Sequence, residues 1–127
     1  MYAWCCEDEA TPESELLLQR AATRDPLYVP SLWPFEMMNA LAVAVRRQRI
    51  SSAHAASFFV LLADFDFRIE PPPGILDMPR LSTLAARHQL TAYDTAYLDV
   101  ALRLALPLAT LDDDLTKAAL AEGVSVL

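Results

Sequence analysis

The stretch Leu90-Thr91-Ala92-Tyr93-Asp94-Thr95-Ala96-Tyr97-Leu98-Asp99-Val100-Ala101-Leu102-Arg103-Leu104-Ala105-Leu106-Pro107-Leu108-Ala109-Thr110-Leu111-Asp112-Asp113-Asp114-Leu115 decides the fold class of this chain. It reads as a helix with Asp94 in its opening turn, a break at Pro107, a short apolar strand over Leu108–Leu111 and a run of three acids where the strand ends. Short, uniformly apolar strands separated by helices belong to a mainly parallel sheet covered on both faces. Strand ends and helix starts are where such α/β folds collect reactive groups. Two acids delivered to one edge, Asp94 and Asp112, therefore suggest a divalent-cation site.

The same alternation continues on either side. Thr11-Pro12-Glu13 places a cap, a first-turn proline and an acid in order, predicting a helix to Arg24. Leu27-Tyr28-Val29 is a short strand closed by Pro30, and Ser31 is expected to cap a long helix reaching Arg49. Ser51 or Ser52 caps the next helix, and Phe67-Arg68-Ile69-Glu70 alternates as a strand does. Pro71-Pro72-Pro73-Gly74 breaks the chain but is too short to separate domains. Helices follow over 79–88, 92–105 and 115–121, with Gly123 as the last helix's stop and Val124–Leu127 as a closing strand. The expectation is one α/β domain spanning residues 1–127.

Composition narrows the function classes. With 127 residues, 54% of them hydrophobic, the chain is long and apolar enough to build a full core. No apolar run approaches the roughly 18 residues of a membrane span. The opening Met1–Asp8 has neither a basic region nor a long apolar one, so no signal peptide is expected. Cys5 and Cys6 are the only cysteines and are adjacent, which suits packing thiols in a reducing cytoplasm rather than a disulfide framework. Two glycines leave no phosphate-cradling loop. The net charge of −7 argues against broad electrostatic capture of nucleic acid, although cations held by acids reverse the local sign. The basic cluster Arg46, Arg47 and Arg49 reads either as a solvated helix end that complements the macrodipole or, at Arg46 and Arg47, as a phosphate contact.

Glu36 is the third acid of interest. Between Leu32 and Val45 only Glu36 and Asn39 are polar, and they share a helix face, so Glu36 is expected to be largely buried and in need of a partner or a metal. The alternative is a first-turn acid that only complements the dipole. On the following helix Asp94 continues into Tyr97, Leu98 and Ala101 and is expected to look inward, while Asp99 and Arg103 form an outward pair four residues apart. Asp112 ends the strand. Asp113 or Asp114 is expected to cap the next helix, with Asp114 also an alternate ligand. Three carboxylates within about 4 Å repel by roughly 4 kcal/mol per pair at an effective dielectric near 20. Hard oxygen donors of this kind suit Mg²⁺ or Mn²⁺. His54 and His88 are isolated and are read as surface or satisfied core residues.

Three motifs carry a resemblance: Val29-Pro30-Ser31-Leu32-Trp33-Pro34-Phe35-Glu36-Met37-Met38-Asn39-Ala40-Leu41, then Leu90-Thr91-Ala92-Tyr93-Asp94-Thr95-Ala96-Tyr97, then Leu106-Pro107-Leu108-Ala109-Thr110-Leu111-Asp112. In order and spacing they resemble the PIN-domain family, specifically the VapC-type toxin ribonucleases, over essentially the whole chain. The resemblance implies a three-layer α/β/α fold with a five-stranded parallel sheet and Mg²⁺- or Mn²⁺-dependent cleavage of RNA. It also implies homodimers, and inhibition by a VapB-like antitoxin. By that match Glu36, Asp94 and Asp112 are the acidic metal-site residues. One departure stands out. The family opens with a strand ending in a metal-binding aspartate, whereas Met1-Tyr2-Ala3-Trp4 resembles a point partway down the following helix. That reading lacks the first strand, so a monomer of residues 1–127 is expected to be poorly stable. It also raises a second function: a catalytically impaired PIN-like module that binds an antitoxin or a second copy without cleaving RNA. A third reading, a phosphatase of the haloacid dehalogenase type with Asp112, Asp114 and Thr116 as its motif, needs a core downstream of the motif, and only eleven residues follow Thr116.

Overall fold

Pro30 and Pro34 bracket the first structural decision. A computed structural model describes residue 19 and residues 25–127. The expected helix from Thr11 to Arg24, and Cys5 and Cys6, lie outside the continuously described residues. Strand β1 is Leu27–Val29 and helix α1 is Trp33–Arg46. Helix α1 begins one residue later than a Ser31 cap would place it, and Leu32, not Ser31, is its cap residue. Pro34 falls in the first turn, where its missing N–H is one the helix leaves unpaired in any case, and the first bond runs from the Glu36 N–H to the Leu32 carbonyl, at 3.1 Å. The helix also stops before Arg49, because Gln48 takes a left-handed conformation at φ 57°.

The rest of the chain follows as α2 (Ser52–Leu62), β2 (Phe67–Ile69), a 3₁₀ turn at Ile75–Asp77, α3 (Met78–His88), α4 (Ala92–Leu104) and α5 (Asp113–Ala121). The protein is mixed α/β and mostly helical. Among the described residues the named strands, β1 and β2, form one two-stranded sheet. Their bonds, Leu27 N–H to the Asp66 carbonyl and Glu70 N–H to the Val29 carbonyl, both 2.9 Å, follow a parallel register.

The expected strands at 108–111 and 124–127 shrink to a single parallel bridge between Leu108 and Val126. Leu108 donates to the Ser125 carbonyl at 2.8 Å and accepts from the Leu127 N–H at 2.9 Å. Beyond it the Thr110 hydroxyl accepts the Asp112 N–H at 3.1 Å. That local side-chain bond takes a donor a ladder would otherwise use.

The described chain gathers into two compact units, one made of Leu32–Arg68 with residues 25–27, the other of Tyr28–Ser31 and Ile69–Leu127. In the first unit α1 buries Trp33, Met37, Leu41 and Ala44, a stripe at helical spacing, and α2 buries Ala55, Phe58 and Leu62. The two helices pack on one another, and Trp33 stacks on Phe67 with ring centroids 4.4 Å apart. In the second unit α4 packs against both α3 and α5. Its core joins Leu84, Leu98, Ala101, Leu108, Leu115, Ala118, Ala119 and Val124.

A buried acid also holds the second unit together. Asp99 is 6% exposed, the reverse of the outward placement its pairing with Arg103 suggested. Its Oδ2 accepts from Arg103 Nε at 2.9 Å as the four-residue spacing predicts, and its Oδ1 accepts from Arg80 of α3 at 2.5 Å. Arg103 also reaches Glu70 at 3.1 Å. Burial pushes the Asp99 carboxyl up, but hydrogen bonds from Arg80 and Arg103 and their charges outweigh it and hold the carboxyl below its ordinary value.

Because the folded value is depressed, the stabilisation is fully present above the unfolded carboxyl's value of about 4 and is lost as pH falls through the folded value. Replacing Asp99 by Ala is expected to cost about 2 kcal/mol, since both arginines are partly exposed and recover water. Urea unfolding at pH 7 and pH 3 checks this: the gap between Asp99→Ala and the parent protein narrows at the lower pH.

Candidate functional site

Each acid singled out by the sequence sits at the start of a helix. Glu36 lies in the first turn of α1 in the first unit. It is exposed, contrary to the burial its apolar flanks imply. The buried stripe runs through Trp33, Met37 and Leu41, and Glu36 lies outside it. Asn39 is exposed as well. Arg46 and Arg47 end the same helix, both exposed, with Arg46 in the last turn where a cation complements the dipole.

Asp94 and Asp112 belong to the second unit. Thr91 is the cap of α4, in an extended conformation, and its hydroxyl oxygen accepts the Asp94 N–H at 3.1 Å. The same hydroxyl lies 3.0 Å from Asp94 Oδ2 and donates to it. Asp94 is half-buried rather than turned into the core. One residue on, Thr95 is fully buried and its hydroxyl donates to the Thr91 carbonyl at 2.7 Å, which fixes the first turn from its inner side.

Asp112 is itself the cap of α5, where Asp113 or Asp114 was the expectation. Its backbone is extended, and its Oδ1 accepts the Leu115 N–H at 2.7 Å. The Thr116 hydroxyl donates to the Asp112 carbonyl at 2.8 Å. An Asp at this position satisfies an N–H that the helix cannot, and Leu115, whose N–H it takes, turns its side chain into the core at 4% exposure. Asp113 and Asp114 then complement the dipole of the first turn. Asp114 is exposed and faces Lys117 at 4.0 Å, a surface pair of small energetic weight.

The donor chemistry of Glu36, Asp94, Asp112 and Asp114, all hard carboxylate oxygen, fits Mg²⁺ or Mn²⁺. Among the described residues, however, no three His, Cys, Asp or Glu side chains come together as a metal-holding group. Asp94 and Asp112 are brought into one unit, and Glu36 belongs to the other.

Sequence spacing passes over a second set of charged residues. Glu122, at the end of α5, accepts from Arg87 Nη1 at 2.8 Å, and its Oε1 lies 2.6 Å from His88 Nε2. His88 is therefore a paired residue, in line with a satisfied role, and His54 is exposed. The hydrogen bonds from His88 and Arg87 outweigh burial and hold the Glu122 carboxyl below its ordinary value. The signal for this cluster was the register of Arg80 and Arg87, seven apart on α3, which places both on one face.

No described helix is long and apolar enough to cross a membrane. No protein-family model matches this chain, and no curated protein matches it.

The capping geometry gives a direct expectation. Asp112→Ala lowers stability by about 1 kcal/mol, whereas Asp112→Asn, which keeps a capping oxygen, costs a few tenths (about). Thermal melts of the two variants against the parent protein measure the difference, and equal loss in both would show that charge rather than capping is what Asp112 contributes.

Proposed function

We propose that this chain is a PIN-like, metal-dependent endoribonuclease, the cytoplasmic toxin of a VapBC-type toxin–antitoxin pair, which hydrolyses RNA phosphodiesters. The observation that supports it is the coincidence of motif and position in the second unit. Leu90-Thr91-Ala92-Tyr93-Asp94 opens α4 and Leu108-Ala109-Thr110-Leu111-Asp112 opens α5, so both motif acids stand at helix N-termini. The finer fold in this reading is the three-layer α/β/α arrangement with a larger parallel sheet. Its partners are RNA, a VapB-like antitoxin and a second copy of the chain.

In this reading Asp94, Asp112 and Glu36 hold Mg²⁺ or Mn²⁺, with Asp114 as the alternate ligand. When bound, the cation supplies an activated water and compensates the charge that develops on the phosphoryl oxygens. The chain's own groups do the positioning. Thr91 orients the Asp94 carboxylate through its hydroxyl, Thr95 anchors the turn that carries both, and the Leu115 N–H fixes one oxygen of Asp112, leaving the other for a ligand. Arg46 and Arg47 are the phosphate contacts of this reading.

A second reading draws on the same bonds. Both carboxylates already serve as local caps or cap partners, a structural task sufficient to explain their positions. In that case the chain is a catalytically impaired module that binds an antitoxin or a second copy.

Cleavage assays on a structured RNA pool separate the two. The enzyme reading expects cleavage with Mn²⁺ that EDTA abolishes, and an Asp94→Asn variant that falls to the EDTA level with an unchanged circular dichroism spectrum. Equal cleavage by Asp94→Asn sinks the site assignment. No Mn²⁺-dependent cleavage by the parent protein leaves the binding module.

A further inference from the structure

We propose that Glu70–Gly74 is a polyproline II recognition segment that docks in the aromatic-lined groove of a partner protein. The sequence here is Glu70-Pro71-Pro72-Pro73-Gly74-Ile75-Leu76. A proline ring fixes its own φ at about −65° and drives the residue before it out of the helical region. Glu70, Pro71 and Pro72 each precede a proline, so the extended left-handed form is the one open to them. The three prolines follow trans peptide bonds, and no turn or bend interrupts residues 71–74. Gly74 continues the path at φ −78°, ψ 170°. From Glu70 to Gly74, steps of about 3.1 Å give a straight rod of about 12 Å.

Both ends of the rod are tied down. The Glu70 N–H donates to the Val29 carbonyl at 2.9 Å, and the Glu70 carboxylate accepts from Arg103 at 3.1 Å. At the other end the Gly74 N–H donates to Asp77 Oδ2 at 2.8 Å. The ordering that a free peptide undergoes on binding is therefore already complete. Between these anchors the segment is presented to solvent. Pro71, Pro72, Pro73 and Gly74 are all exposed, so packing within this chain does not account for three successive rings.

The chemistry of the segment selects the partner. Three successive residues without an N–H cannot be recruited into a sheet ladder. Residues 71–76 carry no charge, so they offer nothing to a phosphate backbone. Among the described residues no hydrogen bond ends on the carbonyl of Pro71, Pro72 or Pro73. The segment therefore shows flat apolar rings beside unused acceptors. Tyr and Trp side chains match both, since their faces pack on the rings and their O–H or indole N–H donates to a carbonyl. Ile75 and Leu76 follow directly, 83% and 95% exposed, and extend the apolar contact beyond the prolines. The inference goes beyond the nuclease reading and does not depend on it.

The test titrates the full chain into two aromatic-grooved probes, an isotope-labelled WW domain and an isotope-labelled SH3 domain, and follows their tryptophan indole resonances. At least one probe is expected to show saturable shifts of the indole in its groove. Pro71→Ala or Pro72→Ala is expected to weaken that binding at least about fivefold. Both positions are exposed, so neither change touches a core, and thermal melts confirm that the variants are folded. Pro107→Ala, a proline outside the segment, is expected to leave the affinity unchanged. Absence of shifts in both probes up to about 1 mM, unchanged affinity in both Pro71→Ala and Pro72→Ala, or an equal loss in Pro107→Ala each overturns the inference.

Discussion

The Asp99 carboxylate is the constraint on which the second unit turns. It sits in the interior face of α4 and takes one arginine from its own helix and one from α3. A buried carboxylate without partners is costly, so α3 and α4 must approach in the one register that brings Arg80 to it. That register sets the rest. It packs Leu84 beside Leu98 in the core, and it leaves Arg103 placed to reach Glu70 just past β2. The same pairing leaves Arg80 half exposed above its buried partner.

Helix starts in this chain are written in short-range chemistry. Ser51, Thr91 and Asp112 each accept an N–H three residues ahead, the position where a helix has no partner of its own to offer. Ends are equally local. Gln89 and Ala105 close α3 and α4 in the left-handed region, and Gly123, at φ 80°, closes α5 where a side chain is least welcome. Two of the three acids expected to bind metal are therefore also parts of helix initiation. The proposed chemistry has to use carboxylates already oriented by the backbone. Such fixed carboxylates suit a ligand set, because little ordering remains to be done on binding. They equally suit a module in which capping is their whole task.

Legibility varies with the range of the interaction. Helices α2, α4 and α5 were readable to within two residues because capping side chains and helical stripes are local. The start of α1 was misread at Ser31 because a serine ahead of an apolar run reads as a cap, whereas Leu32 takes the cap position with no side-chain bond. The strands over Leu108–Leu111 and Val124–Leu127 were overextended, since apolar runs do not say how many residues find a ladder partner, and only Leu108 and Val126 do. Glu36 and Asp99 were each assigned to the wrong side. For Glu36, apolar neighbours suggested burial, but on α1 the inward stripe passes through Trp33 and Met37. For Asp99, a four-residue pair with Arg103 looked complete on the surface, and the second arginine, nineteen positions back, was invisible to local spacing.

Residue order alone settles the alternation of apolar and capping residues, hence which segments become helices, where the acids Asp94 and Asp112 fall within them, and the parallel character of the short strands. These depend on bonds between residues at most four apart, or on the side-chain character of single segments. Which face each helix turns inward, which carboxylate is buried, and which arginines reach it were decided by tertiary packing. A side chain's burial and charge partners are properties of its neighbours in space, and for Asp99 and Glu122 those neighbours lie on α3, as Arg80 and Arg87.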